Sequence, residues 1–220
     1  MGFSRIQSVL SAPVLRRVDG VRPRLKVIRR LGTPLPGLTR KTAERRPAPP
    51  GAHGATAGRR KSDYRRRLEE KQKVRFHYGV SETQLRRVFA AIAHRGKVRG
   101  GTRLALLERR LDNVVFRLGW APTIRAARQL VVHGHVRVNE RRVDRPGYTV
   151  EVGDELALSN RARGIPDVAA AVERGPEVRL PLYLEHHDDD PYTGRVIGRP
   201  TRNDVPLTVD ETAIVEFYAG

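Results

Sequence analysis

The sequence predicts an α+β protein: a basic N-terminal helical domain, a helix–helix–small curled β-sheet module inserted in it, and extended segments at both ends. Three observations lead there. Apolar residues recur at steps of three and four from Leu104 through Leu107, Leu111 and Val114/Val115 to Leu118, the helical period. Alternation in His135-Val136-Arg137-Val138, a two-residue break at Asn139-Glu140 and a return through Arg141-Arg142-Val143 give the pattern of a hairpin. Charge is distributed unevenly, with nets of +20 over residues 1–100, +3 over 101–160 and −4 over 161–220.

A formal charge of +19 marks a protein that binds polyanions, and its uneven distribution makes the first half the electrostatic arm. The chain has no Cys, which excludes a disulfide framework and thiolate metal sites and leaves the compartment unfixed by redox chemistry. No run approaches the roughly 18 apolar residues of a spanning helix, so a soluble protein is expected. Aromatics are 5% of residues, so the core must be mostly aliphatic.

Residues 1–20 carry Arg5, Arg16 and Arg17 with no acid before Asp19, which fits either an organellar presequence or a disordered basic extension. Residues 21–101 read as a basic helical domain. Within it, 47–58 is Pro, Gly and Ala around His53, bracketed by Arg45-Arg46 and Arg59-Arg60-Lys61, the composition of a segment that orders only against a partner. Ser62-Asp63-Tyr64 opens a helix through Lys73, with Arg65-Arg66-Arg67 fanned around it, too charged to be buried except against a polyanion. Ser81 and Gln84 stand at capping-box spacing, and Val80 and Leu85 at staple spacing, for a second helix through Val88, Phe89 and Ile92. Gly96-Lys97-Val98-Arg99-Gly100-Gly101-Thr102 lacks the order of a phosphate loop and reads as a flexible joint.

Residues 102–160 hold the module. Its first helix stops at Gly119. Pro122-Thr123 starts a second, with Ile124, Ala127, Leu130 and Val131 on one arc and Arg125, Arg128, Gln129 and His133 on the other. Gly134 closes it, the hairpin follows, and after Arg145-Pro146-Gly147 come Tyr148-Thr149-Val150 and the strand Leu156-Ala157-Leu158. In the tail, 161–220, Asp167–Glu173 makes one short helix. The rest reads as extended chain through Pro181–Glu185, the acidic His186-His187-Asp188-Asp189-Asp190, Gly194-Arg195-Val196 and Ile214–Tyr218.

The strings Arg110-Leu111-Asp112, Ala126-Ala127-Arg128-Gln129-Leu130-Val131, His133-Gly134-His135-Val136-Arg137-Val138-Asn139 and Tyr148-x-Val150-x-x-Gly153-Asp154 resemble the small RNA-binding module named after small-subunit ribosomal protein four. The resemblance extends outward through Arg22–Gly32, Leu35–Lys41, Arg65–Val80 and the tail, from about Arg22 to Gly220, to the whole ribosomal family. Glu140 departs from it, standing where the family often has glycine. The zinc knuckle of some members is also missing, so no zinc or other cofactor carries over.

The resemblance implies a noncatalytic constituent of the small ribosomal subunit. It would bind small-subunit ribosomal RNA directly, nucleate the subunit body, contact ribosomal proteins five and three near where messenger RNA enters, and support decoding accuracy. It also implies a tail that packs back on the N-terminal domain and a bacterial or organellar ribosome in the cytoplasm or organelle. The RNA-binding residues expected on charge, spacing and resemblance are Arg24, Lys26, Arg29, Arg30, Arg40, Lys41, Arg45, Arg46, Arg59, Arg60, Lys61, Tyr64, Arg65, Lys71, Lys73, Arg110, Arg125, Arg128, Gln129, His133, His135, Arg137 and Asn139. Two readings compete with this one. Arg110-Leu111-Asp112 also occurs around the catalytic aspartate of pseudouridine synthases that carry the same module, but here Asp112 lies inside the module's first helix and reads as structural. A free regulatory RNA-binding protein is chemically compatible. Metal chelation by His133, His135 and the His186–Asp190 patch has no recognised ligand spacing.

Overall fold

The structure is a computed structural model that describes residues 24–52, 54, 62–93 and 103–219, with the side chains of 90–93 left aside. Helix α1 (Arg24–Leu31) buries Val27, Ile28 and Leu31. Helix α2 (Asp63–Tyr78) starts where Ser62 accepts from the Arg65 N–H and runs five residues beyond the expected end. It stops at Gly79, whose φ of +59° suits only a residue without strain in the left-handed region. Ahead of α3 (Glu82–Ala93) the expected capping box is present, with Ser81 N–H donating to Gln84 Oε1 at 3.0 Å and Gln84 N–H to Ser81 Oγ at 3.2 Å. The staple residues Val80 and Leu85 are both buried.

The expected first helix of the module is two: α4 (Arg103–Glu108) and α5 (Leu111–Arg117). The break at Arg109-Arg110 has a backbone cause. Arg110 is extended and bridged to Thr149, while Leu111 N–H donates to Tyr148 O, Asp112 N–H to Pro146 O, and Val150 N–H to Arg109 O. A strand-like stitch therefore interrupts the helix. Helix α6 (Ile124–Val132) begins as read, with Thr123 capping Ala126 N–H, and it buries Ile124, Ala127 and Val131.

Strands β1 (Val136–Val138) and β2 (Arg141–Val143) are joined by Asn139 and Glu140 at φ +48° and +65°, the double positive φ of a type I′ hairpin. Glu140 thus adopts the turn without the glycine. β3 (Glu155–Leu158) pairs with β1. Two short helices follow, α7 (Asn160–Arg163), which the sequence did not signal, and α8 (Pro166–Arg174).

The tail differs from its expected course in two ways. β4 (Leu184–His187) and β5 (Asp190–Val196) form a hairpin, and β5 pairs with β3, so the sheet order is β2-β1-β3-β5-β4. This hairpin extends the module's sheet; the part of the tail that packs on the N-terminal helices is α9 (Glu211–Ala219), against α2 and α3. Residues Ile214–Tyr218, read as extended, are helical there, with Ile214 fully buried.

One apolar core runs through all these parts, from Val27 and Val74 through Leu111, Phe116 and Trp120 to Tyr183 and Ile214. At its centre sits a buried carboxylate. Glu108 accepts from Tyr78 Oη at 2.5 Å, Asn113 Nδ2 at 2.8 Å and Tyr183 Oη at 3.1 Å, with Arg117 Nε at 3.6 Å. Arg117 in turn donates to Asp204 O at 2.6 Å. Burial raises the Glu108 carboxyl above its usual range against the opposing pull of Arg117 and the hydrogen bonds. Burial, reinforced by Glu108, also holds the Tyr78 and Tyr183 phenols protonated. The network ties α2, α4, α5 and the tail together at one point and surrounds the Glu108 carboxyl with donors, although Asn113 Oδ1 and Arg117 Nε and Nη1 have no hydrogen-bond partner among the described residues.

Candidate nucleic-acid interface

The arginines of the module separate into two sets by what neutralises them. Asp112, with 0% side-chain exposure, takes Arg110 bidentately at 3.0 and 2.8 Å, and Arg128 Nε and Nη2 at 3.1 and 2.8 Å. Arg128 Nη1 also donates to Gly79 O at 2.8 Å, fastening the end of α2 to α6. Arg109 pairs with Glu151 and Arg163 with Asp190. By contrast, Arg125, Arg137, Arg141, Arg142, Arg145 and Arg161 are exposed and form no ion pair among the described residues. Paired guanidiniums hold the fold, and unpaired ones remain available to an anion.

Two expected contact residues therefore act inside the protein. Arg110 and Arg128 serve the buried Asp112 rather than the basic face. The same geometry gives Asp112 a structural role, its buried carboxylate held by two guanidiniums. Asn139 is likewise engaged internally: Nδ2 donates to Asp154 Oδ1 at 2.8 Å and Oδ1 accepts from Glu155 N–H at 2.9 Å, pinning the hairpin to β3.

The remaining expected residues of the module come together. Arg125, Gln129 and His133 are exposed on or at the end of α6. His135 and Arg137 alternate with the buried Val136 and Val138, so they share the outer face of the hairpin, and Arg142 lies directly across from Arg137. The rings of His133 and His135 are 6.1 Å apart and nearly perpendicular. Burial lowers the His135 imidazole below its usual value, and the positive neighbours His133, Arg161 and Arg142 lower it further. Such a neighbourhood attracts an anion and repels a cation, and no group of three or more metal-ligating side chains occurs among the described residues.

In the N-terminal domain, Arg24, Arg40 and Lys41 line one open groove against Thr123 and Arg174, and Arg29, Lys41, Arg45 and Arg46 line a second. Arg29 is oriented by a 2.8 Å bond from Nε to Ala48 O, and Arg40 reaches Glu177 at 3.5 Å. Lys26 and Arg30 are exposed on α1. Helix α2 is less available than its composition suggests. Arg65 pairs with Glu69 and Lys73 with Glu70. Lys71 is 5% exposed, bound to Glu82 at 2.9 Å with its ammonium 4.2 Å from the Phe217 ring centroid. One face of this helix packs on α9, where Lys71 finds a carboxylate and an aromatic face within the chain, while Arg65 and Arg66 stay exposed. Tyr64 is 65% exposed beside Phe217. Arg59, Arg60 and Lys61 lie outside the described residues.

Sequence reasoning assigned no contact role to Arg141, Arg142, Arg145 and Arg161. For the first two a signal was present: adjacent arginines on an edge strand directly after a tight turn, where no carboxylate among the described residues pairs with them.

Comparison with known proteins matches residues 21–108 to the family described as Ribosomal protein S4/S9 N-terminal domain and residues 109–156 to the S4 domain. The chain is 48% identical over 199 residues to small ribosomal subunit protein uS4B of Nitrosomonas europaea, covering 90% of this chain and 96% of that one. It is 51% identical over 200 residues to small ribosomal subunit protein uS4 of Methylobacillus flagellatus, and 51% over 201 residues to that of Synechococcus sp. strain JA-3-3Ab, with the same coverage. About half-identity over 90% of the chain, together with the two family matches, means that the chain belongs to the family of small ribosomal subunit protein uS4, in its bacterial type.

Proposed function

We propose that this chain is a noncatalytic structural constituent of the small ribosomal subunit that binds small-subunit ribosomal RNA directly. The observation that carries the reading is the set of exposed arginines without an ion pair among the described residues, Arg125, Arg137, Arg141, Arg142 and Arg145 on the module and Arg161 just after it, in a protein of the uS4 family. A-form RNA presents phosphates and 2′-hydroxyls on a surface read mainly by shape. A rigid helix–hairpin unit with guanidinium forks suits that surface better than single strands, which call for exposed aromatic platforms. The two basic grooves beside α1 extend the footprint along the N-terminal domain.

In this reading the protein nucleates the body of the subunit, since a footprint that spans two regions of the chain can bridge separate RNA helices. The net of −4 over residues 161–220, with Glu185, Asp188 and Asp189 exposed around the β4–β5 turn, favours a protein neighbour over phosphate. The resemblance names ribosomal protein five as that neighbour, in an interface tied to decoding accuracy, and ribosomal protein three beside it near where messenger RNA enters. The cytoplasm is the proposed compartment.

The test is affinity for small-subunit ribosomal RNA against transfer RNA across a salt series, with an Arg125→Ala/Arg137→Ala variant alongside. A preference for the ribosomal RNA that persists as salt rises, and a shallower salt slope in the variant by about one per lost phosphate contact, is expected. Equal affinities that collapse together with salt would reduce the protein to a nonspecific polycation.

A further inference from the structure

The end of α6, the hairpin and α7 place four cationic or titratable groups around one residue. His133 caps α6, and its ring lies 6.1 Å from that of His135. Between them Gly134, at φ +70°, leaves its α-carbon bare, and the Arg142 guanidinium from β2 crosses over it in the space a side chain would fill. From the start of α7, Arg161 adds a further positive charge acting on His135. Ser159 Oγ accepts the Ala162 N–H as a cap, and at 3.5 Å from His135 Nδ1 its hydroxyl can donate to that nitrogen, leaving Nε2–H as the donor for a ligand.

By itself this arrangement is unfavourable. Arg137 and Arg142 stand directly opposite across the β1–β2 pair, where like charges destabilise, and no carboxylate is among the groups acting on His135. An anion is what turns the repulsion into attraction. We infer that His135, with His133, Arg142 and Arg161, forms a phosphate subsite on the RNA surface that takes up a proton as the phosphodiester binds.

The inference rests on the RNA-binding reading above and adds proton linkage to it. In the free protein partial burial and the positive neighbours hold the ring's affinity for a proton below its usual value, and a phosphate removes the second of these causes. The bound ring therefore holds its proton to higher pH than the free one. Affinity must rise as pH falls, by at most tenfold per pH unit between the free and bound values.

The experiment measures affinity for small-subunit ribosomal RNA and for transfer RNA from pH 5.5 to 8.0 at constant ionic strength, with the imidazole resonances of the free protein followed in parallel. The wild-type chain should bind more tightly toward low pH, and His135→Gln, checked for native fold by circular dichroism, should lose that slope while keeping its affinity at pH 8. Arg142→Ala, checked for native fold in the same way, should weaken binding throughout and also move the His135 titration of the free protein to higher pH, as removal of a positive neighbour from a folded site requires. If ribosomal RNA is preferred but His135→Gln keeps the wild-type pH slope, the subsite is overturned and the ribosomal reading stands. If both RNAs bind equally with the slope intact and dependent on His135, the subsite stands and the ribosomal reading falls.

Discussion

Asp112 and His77 show how buried polar residues set the tolerance of this chain to change. Asp112 is fully buried and neutralised by Arg110 and Arg128. Asp112→Asn leaves two guanidiniums around a neutral amide and is expected to cost about 3–5 kcal/mol in urea unfolding, the cost of breaking a buried pair. Arg125→Ala, exposed and unpaired, should stay within about 0.5 kcal/mol while weakening RNA binding. His77 is fully buried, and neither ring nitrogen has a partner among the described residues. Burial first, and Arg117 second, hold its imidazole down to about 3. A base depressed in the folded state stays neutral there while the unfolded chain takes up a proton below pH 6.5. Stability is therefore lost as pH falls from 6.5 toward 3, by at most about 1.4 kcal/mol per pH unit. In a pH series of unfolding free energies, His77→Leu should flatten that acid slope; an unchanged slope would assign the acid sensitivity to other groups. Of these two residues the sequence signalled Asp112 as structural, since it falls inside an apolar helical period. It gave no sign of His77, because an imidazole on a helix looks alike in the sequence whether it faces solvent or core.

Among the elements, those whose ends are fixed by local chemistry were legible. The Ser81–Gln84 box, the Thr123 cap and the glycine stops at Gly119 and Gly134 lie where residue type alone places them. The errors lie where a distant segment decides. The α4–α5 break comes from hydrogen bonds to residues 146–150, and α9 is helical despite the β-leaning run Ile214-Val215 because it docks on α2. There Tyr218 Oη donates to Glu82 at 2.9 Å, the same carboxylate that holds Lys71, so Tyr218→Phe should destabilise by about 1 kcal/mol. The β1–β2 turn supplies a prediction of opposite sign. Glu140 sits at φ +65°, a conformation that costs a side-chain-bearing residue about 1–2 kcal/mol, whereas glycine adopts it freely. After the greater chain entropy of glycine is set against that, Glu140→Gly should raise stability by about 0.5–1 kcal/mol, measured as a higher urea midpoint with an unchanged slope.

For the molecule as a whole, the uneven charge and the ordered strings were enough to place the chain in its family and to predict the α+β class. The sheet order was not legible, because β3 and β5 are separated by two helices and a strand, and only their pairing reveals them as neighbours. Nor could the division of arginines into internal and exposed sets be read from charge counts, since it depends on which carboxylates the fold brings within reach. That division has a global consequence. Substituting internal cations such as Arg128 and Lys71 should lower stability and leave the salt slope of RNA binding unchanged in the folded fraction, whereas substituting Arg137 or Arg142 should flatten the slope at native stability.

The β3–β5 pairing also imposes an order in time. β3 ends at Leu158 and its partner β5 ends at Val196, so during synthesis the module's inner strand waits for 38 further residues, about 2–8 s at about 5–20 residues per second. Throughout that interval the backbone edge of β3 is an open template. Leu118, against which Gly194 of β5 packs, and Trp120, whose indole donates to Pro191, lack their cover for the same period. A nascent chain stalled near residue 160 would thus present a sticky strand edge beside a cationic surface, and ribosomal RNA meeting the chain at that stage would find the hairpin face before the sheet behind it has closed.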